Sequence, residues 1–524
     1  MGGASVIVAA MAAFALVVSN GGAGVARDIN GGDRAISGEH APGIDLGEGK
    51  TVGGLSGGRK VVGGPVAKSA KASDTVRALA GPADLLTGRG GIALTATPAV
   101  NAPGVTSAGA PTSSTAPTTS VARGAPTTTA RTVAPATTTT TRNVTPSPTG
   151  WTPTGPVYWL STDGNDNANG SEGAPWRSFA TALSRLRPGD NLLVKAGTYG
   201  TTSSGPTIDA ENINGTPGAP ITVAAAPGQR VSLLGGGYQV VRIGGSSYVD
   251  LRGFDVSGSG QLDRATTSGI EADNAHHIRF IANTVHDLGG GGIGAIGSNH
   301  VTIDGNRVYN TSMWNPNQAS AIATFESANI GGGDESDGYS FHIRNNIAYN
   351  NKNLVGAITD GNCIIIDSNR HTGYSGTSYI NNNLCYGNGG RGVHVFISDN
   401  VVAVNNTLIG NVTSAALTDA GELSAIQASN VTFINNLASP TRSGYGAREY
   451  LASATTYEHN LFVGAMPDRH GSTDLAVPDA QLGPDSVPLA GSPAIDAGTD
   501  DRAPSTDRRG RARVGAPDIG CYEA

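Results

Sequence analysis

One short pattern constrains this chain more than any other: apolar, x, apolar, x, x, Asn, x, apolar. Clear copies are IRFIANTV, VTIDGNRV and FHIRNNIA, ending at Val285, Val308 and Ala348. Looser copies are SYINNNLC, VVAVNNTL, VTFINNLA and TTYEHNLF, ending at Cys385, Leu408, Ala438 and Phe462. Their asparagines are Asn283, Asn306, Asn346, Asn383, Asn406, Asn436 and Asn460, at spacings of 23, 40, 37, 23, 30 and 24 residues. A recurring minimum with irregular extra length is what a solenoid gives when loops are inserted between its coils. Alternating apolar residues make the units strands, and the apolar periodicity near 3.6 that helices need is missing. The pattern predicts a parallel β-helix. Each coil lies about 4.8 Å above the last, so equivalent asparagines stack and bond to one another. The ladder is read as structural and is assigned no chemistry.

A second strand follows each asparagine strand: GGIGAI (291–296), SAIATF (320–325), NCIIID (362–367), RGVHVF (391–396) and SAIQAS (424–429). Aligned on Ile293, Ile322, Ile364, Val393 and Ile426, they put Ile365, His394 and Gln427 in one column and Asp367 and Phe396 in another. Period two sends both columns outward. Asp367 and His394 are then expected to project on adjacent coils, with Arg391 at the start of its strand. Near residue 180, WRSFATALSRLRPGD puts Phe179, Ala182, Leu183 and Leu186 on one helical stripe that stops at Pro188 and Gly189. This short helix is expected to cover the open end of the stack.

Composition divides the 524 residues. Residues 27–150 are rich in Gly, Ala, Thr and Pro and contain little that can form a core, so a disordered spacer is expected there. Residues 1–150 carry 12 Lys+Arg against 7 Asp+Glu; the remainder carries 34 − 12 = 22 against 41 − 7 = 34, a net −12. An acidic block is a poor partner for nucleic acid. The first 26 residues, MGGASVIVAAMAAFALVVSNGGAGVA, have the apolar stretch and small residues of a secretory signal but no Lys or Arg before the run. Export, or a place at the cell surface, is expected. No other segment is long and apolar enough to cross a membrane, and the protein is expected to be a monomer. Three cysteines make no disulfide framework, and Cys363, Cys385 and Cys521 are expected as free, buried thiols.

The stretch YWLSTDGNDNANGSEGAPWRSFATALSRLRPGDNLLVKAGTYG, with APITVAAAPGQRVSLLGGG after it, resembles the opening of secreted right-handed parallel β-helix proteins, family 9 polysaccharide lyases among them. GSPAIDAGTDDRAPSTDRRGRARVGAPDIGCYEA resembles the C-terminal module called choice-of-anchor Q. The resemblance implies an all-β, right-handed parallel β-helix over 151–484 and a terminal cap over 485–524. In family 9 lyases an Asp-x-Asp-Gly element and, one coil later, Asp-Asp-Gly-x-Asp hold calcium, and a later lysine is the base. Here ESDGYS supplies Asp337 and TDGNC supplies Asp360, 23 residues on. Glu335, Thr359 and Cys363 stand where three of the family's acids would be, and only Lys352 occurs after Asp337. The resemblance implies Ca²⁺ near Asp337 and Asp360, completed by Asn362 or Asp367.

In a lyase such an ion would bind a uronate carboxylate and ease removal of the adjacent proton. His394 has the better intrinsic pKa for the base and Arg391 suits a substrate clamp, roles open to exchange because lyases with arginine bases exist. Trp314, in TSMWNPNQ, and Arg370 are the candidate substrate contacts. The first expectation is an exported enzyme cleaving an acidic polysaccharide by β-elimination. A glycoside hydrolase using Asp360 and Asp367 and a glycan-binding adhesin remain as alternatives.

Overall fold

The computed structural model describes residues 151–524, apart from 202–204, 259–265, 333–335 and 442–443, together with the paired strands Ala26–Arg27 and Asp33–Arg34. The signal-like segment, the spacer and Glu335 therefore lie outside the described residues, the two short strands excepted. From Val157 onward the chain winds as a right-handed parallel β-helix. Each full coil contributes a strand to sheet 1, bends, adds a strand to sheet 2, crosses a loop of variable length, and adds a strand to sheet 3. Sheet 1 has 11 strands from Val157–Leu160 to Ser453–Glu458, and sheet 2 has 11 from Gly197–Tyr199 to Leu475–Val477. Sheet 3 has 9, from Ile208–Glu211 to Tyr445–Tyr450.

The asparagine ladder sits at the bend from sheet 1 to sheet 2. Asn283 donates from its main-chain N–H and its Nδ2 to Oδ1 of Asn306 at 2.9 and 3.1 Å. The same double bond recurs upward through Asn346, Asn383, Asn406, Asn436 and Asn460. Asp474 ends it by accepting both donors of Asn460 at 2.8 and 3.1 Å. Each ladder residue follows one in the left-handed region, from Ala282 (φ 54°) to His459 (φ 53°), which turns the chain sharply enough to bury the amide. The bonds satisfy polar groups that the core would otherwise strand.

A second ladder, five residues beyond the first in each coil, marks the exit from sheet 2. It runs Thr311, Asn351, Asn388, Asn411 and ends on buried Glu422. Inside the coils Phe280, Phe341, Phe433 and the inward Ile and Val residues form one continuous core. The helix Phe179–Arg185 buries Phe179, Ala182 and Leu183, and Ser178 caps it by accepting from the N–H of Thr181 at 3.2 Å.

Two expectations are corrected. Cys363 and Cys385 are not free thiols: they form a disulfide from a sheet 3 coil to a sheet 2 strand, and only Cys521 is a free, buried thiol. The column drawn through Gln427 is also displaced. The last aligned strand is Gly421–Ile426, and Val393 pairs with Leu423, not Ile426. A three-residue shift reverses the faces, so Ser424 stands beside His394 while Ile426 lies outward with Phe396 and Asp367.

Residues 485–524 pack along the flank of the stack. Ile519, Cys521 and Tyr522 cover an apolar column on the outer face of sheet 2 that includes Ile347, Leu384, Leu437 and Leu461.

Candidate active site on the outer face of sheet 3

Sheet 3 has the long crossing loops from sheet 2 on one side and short corners to sheet 1 on the other. Its outer face changes character along the stack. In the early coils Arg242 bridges Asp209, Glu211 and Asp273. Beside it the carboxyl of Glu271 is pushed up to about 7, chiefly by burial. Two coils then offer only Gly294 and Ala323 in one column. Ile365, His394 and Ser424 follow, with Asp367 and Phe396 in the neighbouring column.

Asp360 reaches this face from the crossing loop. Gly361 makes that possible: it turns at φ 79°, and a Cβ there would stand 2.7 Å from the main-chain N of Asn353. Asp360 is 9% exposed and lies beside Ser320, whose Oγ donates to it at 3.4 Å. Burial first and the charge of Asp367 second push its carboxyl up to about 7, against the pull of the Arg391 guanidinium. Asn362, two residues on and just before the strand, has both ends occupied. Its Oδ1 accepts from the N–H of Arg391 at 2.8 Å and its Nδ2 donates to Ser320 at 3.1 Å, tying three coils together under the carboxyl.

Asp367 closes the strand Ile364–Asp367 and points outward, as expected. Ser368 takes a left-handed turn and donates to it at 2.8 Å, and the 3₁₀ turn Asn369–Thr372 then brings His371 round to within 3.6 Å of Glu326. Burial pushes Asp367 up to about 6; nearby His371 opposes the rise and Glu326 adds to it. Glu326 is thus part of this cluster.

Arg391 and His394 are beside the carboxyls but covered. Arg391 is 8% exposed, donates to the carbonyl of Thr359 at 3.1 Å, and burial lowers its pKa. His394 is 3% exposed; burial and the Arg391 charge hold it well below the ordinary histidine value, so it is neutral. Its column does face outward, yet outward here does not mean exposed. Nδ1 of His394, Nε of Arg391 and Oγ of Ser424 are buried without a hydrogen-bond partner among the described residues. Trp314 is half-buried in the crossing loop, its main-chain N–H donating to the carbonyl of Gly289 at 2.9 Å. Arg370 lies at the corner to sheet 1 in a two-pronged pair with Asp399 at 2.7 and 2.6 Å.

Asp337 does not join this group. It is half-exposed beside sheet 1, where it lies 3.6 Å from Nε2 of His342. The expected calcium donors are therefore not assembled. Asp337 is on another face, the Asn362 oxygen is taken by a main-chain donor, and a guanidinium stands beside Asp360. Among the described residues no group of three or more His, Cys, Asp or Glu side chains is arranged to hold a metal ion, and no helix is long and apolar enough to cross a membrane.

Comparison with known proteins adds the following. A family model described as Pel9A-like, right handed beta helix region, matches residues 158–363. That segment ends at Cys363, before Asp367, Arg391 and His394. Pectate lyase L of Dickeya dadantii (strain 3937) is 41% identical over 73 residues, 13% of this chain and 17% of that protein. The chain thus matches under a fifth of the length of this curated relative. Among solved structures, pectate lyase Pel9A aligns at 20% identity and a TM-score of 0.37, covering 71% of this chain and 96% of that one. A GH136 lacto-N-biosidase from Eubacterium ramulus aligns at 14% identity and 0.38, covering 59% and 63%. The Azotobacter vinelandii mannuronan C-5 epimerase AlgE6 A-module aligns at 15% identity and 0.30, covering 55% and 89%.

Proposed function

We propose that this chain is an exported glycan-cleaving enzyme whose site is the carboxyl pair Asp360 and Asp367, and that the reaction is glycoside hydrolysis. The observation that carries the reading is this pair. Two carboxyls share one face of the stack, the charge of Asp367 acts on Asp360, and burial raises them to about 7 and about 6. Paired carboxyls with separated pKa values are what acid–base cleavage of a glycosidic bond requires. Asp360, the higher of the two, is the general acid that protonates the leaving oxygen. Its anion is then steadied by the adjacent Arg391 guanidinium. Asp367, ionised first, activates the water or attacks the sugar carbon. The Cys363–Cys385 disulfide supports export, because such bonds persist in oxidising compartments.

A second reading, β-elimination on a uronan, is favoured by the pectate-lyase family match over residues 158–363. It would use neutral His394 as base and Arg391 as clamp, and needs the crossing loops to open. One assay separates the readings. The full chain is incubated with neutral and uronate polysaccharides, and new reducing ends are measured beside the ultraviolet absorbance of an unsaturated uronate. Reducing ends alone are expected. The unsaturated product would replace hydrolysis with elimination, and binding without either product would leave only the adhesin.

A further inference from the structure

We propose a second, non-catalytic glycan-binding groove along the outer face of sheet 1, taking a neutral oligosaccharide. It goes beyond the reaction assigned to sheet 3 and does not depend on it. A groove of about 590 Å³ runs there from Thr154 to His342. Its floor is one outward column, Asp250, Arg279, Thr302 and His342, on four successive coils. At about 4.8 Å per coil that floor is roughly 14 Å long, which suits a short oligosaccharide better than a single ring.

One wall is a stack of rings. Tyr248 lies on His277 at 4.3 Å and 11°, and His277 on His300 at 4.4 Å and 9°. All three residues sit in the left-handed region, at φ 52°, 55° and 50°. The same place on two later coils holds Asn400 and Asn430, at φ 58° and 54°, a residue type that tolerates this backbone. A tyrosine is costly there, and strained bulky residues gather at functional surfaces. The far end is walled by Tyr339, stacked on Tyr379 at 4.4 Å.

Aromatic surface beside planar polar groups is the chemistry that recognises a sugar's apolar face and its hydroxyls. Arg279 forms a two-pronged pair with Asp250 at 2.5 and 2.7 Å, offering donors and acceptors side by side. The charges also choose the class of sugar. Among the described residues, the one guanidinium lining the groove is that of Arg279, already answered by Asp250, and Asp337 adds a further negative charge. A polyuronate would meet no unanswered guanidinium or ammonium group among the described residues of the groove, whereas a neutral chain needs none.

The test uses the full chain carrying Asp360→Asn, so that ligand is not consumed, titrated with xylan-, mannan- and glucan-derived oligosaccharides and with galacturonan oligomers. A neutral oligomer is expected to bind and to shift the ring signals of His277 and His300 in NMR spectra. Adding Thr302→Trp, which fills the floor and removes no charge, is expected to weaken that binding at least tenfold with an unchanged far-UV circular dichroism spectrum. His300→Ala is expected to do the same. The proposal is overturned if neither variant alters the binding of a neutral oligomer, if no neutral oligomer binds, or if only galacturonan oligomers bind. Asp360→Asn retaining full cleavage would instead remove the catalytic reading and leave the groove in place.

Discussion

At the scale of single residues the site depends on burial more than on composition. Asp360 and Asp367 are ordinary turn acids in the sequence; the surrounding coils make them weak acids. If Asp360 donates and Asp367 accepts, activity rises as pH passes about 6, where Asp367 ionises, and falls above about 7, where Asp360 loses its proton. Measuring kcat/KM against pH is expected to give this narrow bell. Asp360→Asn is expected to lower kcat by about 10²–10⁴-fold and to abolish the bell's descending limb. An unchanged profile would count against the assignment. The same shifts affect stability. Both folded values lie above the ordinary 3.8, so the folded state holds more protons than the unfolded one between 3.8 and about 7. Their contribution is complete below 3.8 and is lost as pH rises through the folded values. Melting temperatures of the parent and of Asp360→Asn, taken across that interval, are expected to diverge, the variant losing less on the alkaline side.

At the scale of elements the ladders hold the coils in register. Asn383 accepts two bonds from Asn346, both at 3.0 Å, and donates to the carbonyl of Ile343 and to Asn406. Replacing it with alanine strands these partners in the core, at about 1–3 kcal/mol for each orphaned group. Asn383→Ala is therefore expected to lower the denaturation midpoint far more than Asn350→Ala, whose partner Asn310 is only partly buried. Equal effects would mean that the ladder is not what secures the stack. The disulfide acts on the coil that carries the site. It closes a separation of 22 residues, and removing both cysteines is expected to cost about 3 kcal/mol, read by chemical denaturation with the parent kept oxidised.

At the scale of the whole molecule, residues 485–524 are part of the fold rather than an appendage. They cover Ile347, Leu384, Leu437 and Leu461, each of which is worth about 1.5–3 kcal/mol when buried. A chain ending at 484 is expected to aggregate or to melt well below the full chain, in light scattering and thermal unfolding. A soluble truncation with the parent's melting temperature would show that the flank needs no cover. Much of the molecule was legible beforehand, for one reason: a solenoid repeats its local rule. The asparagine pattern named the coils, the register of Asp367 over Phe396 followed from period two, and the helical stripe at Phe179 named the helix. The strand at Gly421 was misplaced because Leu423 and Ile426 are both apolar and only pairing tells them apart. The second ladder escaped although Thr311, Asn351, Asn388 and Asn411 each stand five residues after a first-ladder asparagine, because the repeat was drawn only as far as the apolar residue that follows that asparagine.

What the amino-acid order determined was therefore the stacked coil and most of the columns its side chains occupy, since these follow from alternation between neighbours in the chain. Which columns meet solvent was decided only in three dimensions. The crossing loops obey no period, and where they settle buries His394 and Arg391, couples Asp360 to Asp367, joins Cys363 to Cys385 and leaves Asp337 on another face. Those outcomes depend on contacts between segments tens of residues apart, whose free energies no local pattern records.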